Sequence, residues 1–216
     1  MQVLESAGSF FVSATTKHRP LRRARLLQTE CSLQPIGAMK RSLKRLDLVH
    51  QRLIADITPL EPKIFSQRPS NEEWSVAEIV HHLCLVEERV IKDLEGAIAG
   101  PPQRIGFLRR FVPTAIVSSR LIRVKAPKAV NPLTAPAKEV AIENFNNARA
   151  ALKQLCAVHG NDRFRQLIFK HPFLGEIDGV ATISFIGYHE RRHYKQIREV
   201  LRKLAGEKHS AADSRG

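Results

Sequence analysis

His189 and His193 stand four residues apart, in a segment whose apolar residues recur in steps of three and four. On a helix this spacing puts both imidazoles on one face, one turn apart, where they can chelate a single divalent cation. They share a stripe with Ile186, Ile197, Val200 and Leu204, which predicts an inward-facing position. His82 lies beside the apolar stripe of a second amphipathic segment and could supply a third ligand from a neighbouring helix. Three neutral imidazoles suit Zn, Ni, Cu or Fe and leave positions open for water or substrate. A cation so held acts as a Lewis acid. It lowers the pKa of a bound water or thiol and supplies a nucleophile near neutral pH.

The same residues, His189-Glu190-Arg191-Arg192-His193, spell the H-E-x-x-H pattern of zinc proteases, with Glu190 as general base. No H-x-x-G-x-x-H extension follows, and the strands expected around a zincin helix are missing. Glu190 is also turned about 100° from His189 on a helix. It stands as the sole catalytic candidate, with that geometry against it. His50, alone on its stripe, reads as a packed core histidine, and Cys84, two residues from His82, reads as core on a different face.

Four amphipathic helices must position these residues. Leu43, Leu46, His50, Leu53 and Ile57 predict a first helix over 39–57, ended by Pro59 and Pro62. The second has a capping box, Ser75-Val76-Ala77-Glu78, with Trp74 and Ile79 placed as a hydrophobic staple. Val76, Ile79, Leu83, Val86 and Val90 form its stripe, and it should end near 96–100, before Pro101. Ala141, Phe145, Ala148, Leu152 and Leu155 predict a third helix ending near Gly160. The fourth should begin around 178–182 and reach Leu204, with Gly206 as its C-cap. Strand signals are poor, so the fold class is all-α, a four-helix bundle.

The 216 residues carry a formal net charge of +14, and 43% are hydrophobic. That apolar fraction supports a core and excludes a wholly disordered basic chain. Three widely spaced cysteines argue against a disulfide scaffold and fit a reducing, cytoplasmic location. No apolar run approaches the roughly 20 residues of a bilayer span. Much of the charge is local. Residues 96–138 hold eight basic and no acidic side chains, among them Arg104, Arg109, Arg110, Arg120, Arg123 and Lys125. Six prolines in the same stretch forbid one continuous helix and predict a long basic connection between the second and third helices, with room for a short helix at 107–124. This connection is either a solvated loop or an anion-binding surface for nucleic acid or an acidic membrane. Its few aromatic residues count against single-stranded nucleic acid. Residues 1–37 form a basic, acid-poor extension, read as disordered, as a transit peptide, or as non-native sequence ahead of a start at Met39. The bundle then spans 38–208, and 209–216 form a disordered tail.

Trp74-Ser75-x-x-Glu78-x-x-x-His82-Leu83 resembles a segment of the DinB-like superfamily. So does His171-Pro172-Phe173-Leu174-Gly175, followed by Tyr188-His189 and by His193-Tyr194-Lys195-Gln196-Ile197. The two segments occur in the family's order, and the resemblance covers about 39–205. It implies an up-down-down-up bundle, often dimeric, with a metal on three histidines that fall here on His82, His189 and His193. It further implies thiol S-transferase or hydrolase chemistry in some relatives, with a low-molecular-weight thiol as cosubstrate in the former. The expected function is a metal-dependent enzyme of small-molecule chemistry using a divalent Zn, Ni or Fe. The alternative is a non-catalytic bundle that binds metal, an anion or a partner.

Overall fold

The described residues of this computed structural model are 37–103, 130, 132, 134–171 and 175–213. They form α1 (Gly37–Ile57), α2 (Pro62–Ser66), α3 (Val76–Ala99), α4 (Lys138–Phe164), β1 (Ile168–His171), β2 (Gly175–Asp178) and α5 (Gly179–Asp213). The four long helices are those predicted from periodicity. Residues 1–36 of the expected 1–37 extension and the cationic candidates Arg104, Arg109, Arg110, Arg120, Arg123 and Lys125 lie outside the described residues, as does the short helix expected at 107–124; Gly37 instead opens α1.

Local chemistry explains the helix ends. Ser75 Oγ accepts from the Glu78 amide at 3.2 Å, while Glu78 Oε2 accepts from the Ser75 amide at 2.8 Å, so the expected capping box opens α3. Arg163 Nη2 donates to the carbonyls of Ile98 at 2.7 Å and Gly100 at 2.8 Å, satisfying the orphan acceptors at the far end of α3. Gly160, at φ 68°, breaks α4 near the predicted end, and a further turn carries the chain to Phe164. Asp178 Oδ1 accepts from the Ala181 amide at 2.7 Å and caps α5. Gly206 does not end that helix. The chain continues helically through it to Asp213, where a cap and then an unstructured tail from 209 were expected. A single glycine lowers helix stability by only about 1 kcal/mol, and no proline follows to stop the helix.

A two-stranded hairpin between α4 and α5 was not expected. It pairs Ile168 with Asp178 and Phe169 with Ile177 in antiparallel register. The strands are four residues each, too short for period-two alternation to stand out in sequence.

Contacts between helices fix their directions. Ser42 meets Ser184, Arg45 meets Tyr188 and Asp56 meets Tyr194, so α1 and α5 run parallel. Glu87 meets Arg149 and Ile98 meets Arg163, so α3 and α4 also run parallel. Lys203 reaching Glu73, and His82 lying against His189 and His193, make α3 and α5 antiparallel. The order is up-down-down-up. A parallel α3–α4 pair requires the chain to travel back along the bundle, roughly 36–40 Å at 1.5 Å per residue, which a tight turn cannot do. The long proline-bearing connection meets that requirement.

The core forms two apolar clusters. One contains Leu53, Phe65, Ile79, Phe145 and Ile197; the other contains Leu46, Leu94, Leu152, Phe164 and Ile183. Among the described residues, no helix is long and apolar enough to cross a membrane.

Candidate metal centre

The three predicted histidines converge. α3 brings His82 inward seven residues after its cap, and antiparallel α5 presents His189 and His193 from successive turns. One ring nitrogen from each lies within 4.8 Å of the others. The ring centroids are 4.6 Å apart for His189 and His193, 4.8 Å for His82 and His193, and 5.3 Å for His82 and His189. His82 is 3% exposed and His193 9%, while His189 is half-buried. The cluster therefore opens toward solvent on the His189 side.

Hydrogen bonds set the ring tautomers. His82 Nδ1 lies 2.7 Å from the Val130 carbonyl, which can only accept. Nδ1 therefore carries the proton and Nε2 keeps its lone pair for a cation. Burial pushes the His82 pKa below the ordinary imidazole value, and nearby His81 adds to the shift. The Val130 bond opposes both without cancelling them. His82 is thus neutral at pH 7, the form a metal ligand requires. His193 Nδ1 lies 2.9 Å from Gln196 Oε1, which likewise leaves its Nε2 for coordination. Three nitrogen donors with two ordered tautomers fit a borderline divalent cation.

Aromatic rings wall the cluster. Trp74, the staple residue, lies 5.1 Å from the His82 ring and stacks at 6.4 Å on His193. Phe185 packs 5.6 Å from His189. Cys84 and Cys156 take no part. Both are buried, and burial pushes each thiol up to about 12, far from a thiolate at neutral pH.

Glu190 is placed differently from a catalytic base. It is 1% exposed, its Oε2 accepts from Arg149 Nη2 at 2.7 Å, and its Oε1 faces His50 Nδ1 at 3.5 Å. The H-E-x-x-H resemblance therefore has a structural origin, a buried counter-charge between two outer histidines. His50 is in the core, as read, with Nε2 2.8 Å from Asn146 Oδ1.

A family model for the DinB superfamily matches residues 45–197. The chain belongs to the DinB superfamily. Its similarity to YuaE, an uncharacterised protein of Bacillus subtilis, is 26% identity over 157 residues, covering 69% of this chain and 90% of that protein. Among solved structures it resembles YfiT from Bacillus subtilis, described as a probable metal-dependent hydrolase with an unusual four-helix bundle topology. The TM-score is 0.57 at 15% identity, covering 77% of this chain and 87% of the other. It also resembles TT2238, described as a four-helix bundle protein, with a TM-score of 0.51 at 20% identity over 74% of this chain and 98% of that one. At these identities the two structures establish a shared fold.

Three features of this DinB-superfamily chain escaped the sequence reading: Val130, Glu87 and Arg149. Val130 acts through its carbonyl, to which side-chain identity gives no clue. Glu87 and Arg149 did leave a signal. Each falls at stripe spacing from buried neighbours, Leu83–Glu87–Leu94 and Phe145–Arg149–Leu152. A charge on an apolar stripe points to an opposite charge on a facing one.

Proposed function

We propose that this protein is a metal-dependent enzyme of small-molecule chemistry, of hydrolase or thiol S-transferase type, holding a divalent Zn, Ni or Fe on His82, His189 and His193. The observation that carries this reading is the ring-nitrogen cluster within 4.8 Å, together with the Val130 carbonyl that leaves His82 Nε2 as the donor. The description of YfiT as a probable metal-dependent hydrolase supports it. When bound, the cation supplies Lewis acidity, lowering the pKa of a water or thiol beside it. The chain's own residues do the rest. Val130 and Gln196 hold two imidazoles in one tautomer. Trp74 and Phe185 pack against the ring cluster on two sides. The half-buried His189 edge is where a small molecule would enter; among the described residues both cysteines, Cys84 and Cys156, are buried, which favours a cosubstrate as the source of the thiol in the transferase chemistry.

The chain has one tryptophan, and it is Trp74. Binding of Ni²⁺ or Cu²⁺ should quench its fluorescence, and elemental content should approach one metal per chain. His82→Ala and His189→Ala should each abolish the quenching while far-UV circular dichroism stays unchanged. Wild-type protein that takes up no Zn²⁺ or Ni²⁺ sinks the metal reading. Metal-loaded protein inactive on both activated esters and thiol–electrophile pairs sinks the enzymatic reading and leaves the metal site standing.

A further inference from the structure

Each of the four long helices contributes one polar side chain to a single buried layer: His50 from α1, Glu87 from α3, Arg149 from α4 and Glu190 from α5. The layer lies between the two apolar clusters. In every helix its member falls between residues of one cluster and residues of the other, such as Leu46 and Leu53 around His50. Arg149 is the hub. Its Nε and Nη2 donate to the Glu87 carboxylate at 2.7 and 3.1 Å, and Nη2 also donates to Glu190 Oε2 at 2.7 Å. Its Nη1 lies 3.3 Å from the Leu46 carbonyl. Burial works against the guanidinium charge, but Glu190 and Glu87 more than offset it, and the Arg149 pKa is raised.

Stability alone does not account for such a layer. Desolvating one guanidinium and two carboxylates is expensive, and apolar side chains of similar volume commonly hold such positions as well or better. A guanidinium provides directional bonds to two particular helices, where apolar packing tolerates sliding and rotation. The helices joined here are the two that supply the histidines. Glu87 lies five residues beyond His82 on α3, and Glu190 lies between His189 and His193 on α5. A one-residue rotation of about 100° in either helix would break an Arg149 bond and carry an imidazole away from the cluster together.

We infer that Arg149, with Glu87 and Glu190, is a positioning device for the metal centre, locking the register of α3 against α5 so that His82 meets His189 and His193. This rests on the metal reading above. The test measures Ni²⁺ and Zn²⁺ affinity, by chelator competition and Trp74 fluorescence, together with the apo-protein melting temperature. The triple variant Glu87→Leu, Arg149→Met, Glu190→Leu removes the charges and keeps the volume. It should fold with a melting temperature at or above that of the wild type, yet bind metal roughly tenfold or more weakly. Arg149→Lys, which replaces the fork with a single ammonium, should lose affinity to an intermediate degree. A folded triple variant with wild-type affinity overturns the inference. So does a triple variant that fails to fold, since the layer would then serve stability. Wild-type protein that binds neither ion removes the metal reading itself, a different outcome from either.

Discussion

A histidine becomes a usable ligand only when something else holds its second nitrogen. For His82 that partner is the Val130 carbonyl at 2.7 Å, within the long basic connection between α3 and α4. Glu78 shows the same economy of bonding. Its carboxylate completes the Ser75 cap and receives a two-pronged contact from Arg68. Burial pushes its pKa up, but the bonds from Arg68 and Ser75 outweigh burial and hold it below the usual carboxylate range. A lowered folded-state pKa means the stabilisation is fully present above the unfolded value of about 4.3 and is lost as pH falls through the folded value. Glu78→Gln should therefore cost about 1 kcal/mol at pH 7 in urea unfolding. The gap to wild type should close as the pH drops below about 4. A gap that stays constant across that window would show that the charge of Glu78 is irrelevant.

At the scale of elements, the junction of the hairpin with α5 leaves no room for a side chain. Gly179 follows the strand directly, and a Cβ built on it would lie 2.7 Å from the Phe164 carbonyl oxygen. That oxygen is backbone and cannot swing aside. Gly179→Ala should destabilise the protein by roughly 1–3 kcal/mol in chemical denaturation, although alanine favours helix. Gly206→Ala, with nothing within 4 Å of the added Cβ, should be neutral or stabilising by up to about 1 kcal/mol. Helices with strong stripes were legible in sequence because burial and the 3.6-residue repeat reinforce each other over many turns. The hairpin was not, because four-residue strands give the alternating pattern too few positions. The sheet also depends on a partner strand that no local pattern names.

For the whole molecule, the two apolar clusters do not depend on an ion, so the metal should be an addition to a folded bundle. Chelator-treated protein should keep its helical circular dichroism. Zn²⁺ or Ni²⁺ at about one hundred times its Kd should then stabilise the bundle by about 2.7 kcal/mol, or about 5–10 °C in melting temperature. Collapse of the fold on chelation would contradict that order of events. The formal charge of +14 belongs to the same scale. Eight of its cations fall in 96–138. One of these, Lys138, is spent internally, donating to the carbonyls of Thr58 at 3.1 Å and Leu60 at 2.8 Å.

By itself the sequence determined four helical stripes, the α3 cap and the i,i+4 pair His189 and His193, because each is written within one or two turns of chain. His82 could be named as their partner, since it too sits beside a stripe. The family resemblance already implied that α1 and α5 run parallel; only the tertiary structure decided that Ser42 meets Ser184 between them, that Glu190 turns away to Arg149, and that a backbone carbonyl at Val130 orients His82. Those contacts join residues 41 to 142 positions apart. A helix's own periodicity says which face is buried. What that face meets depends on the rotation and register of its neighbours, which no helix states in its own sequence.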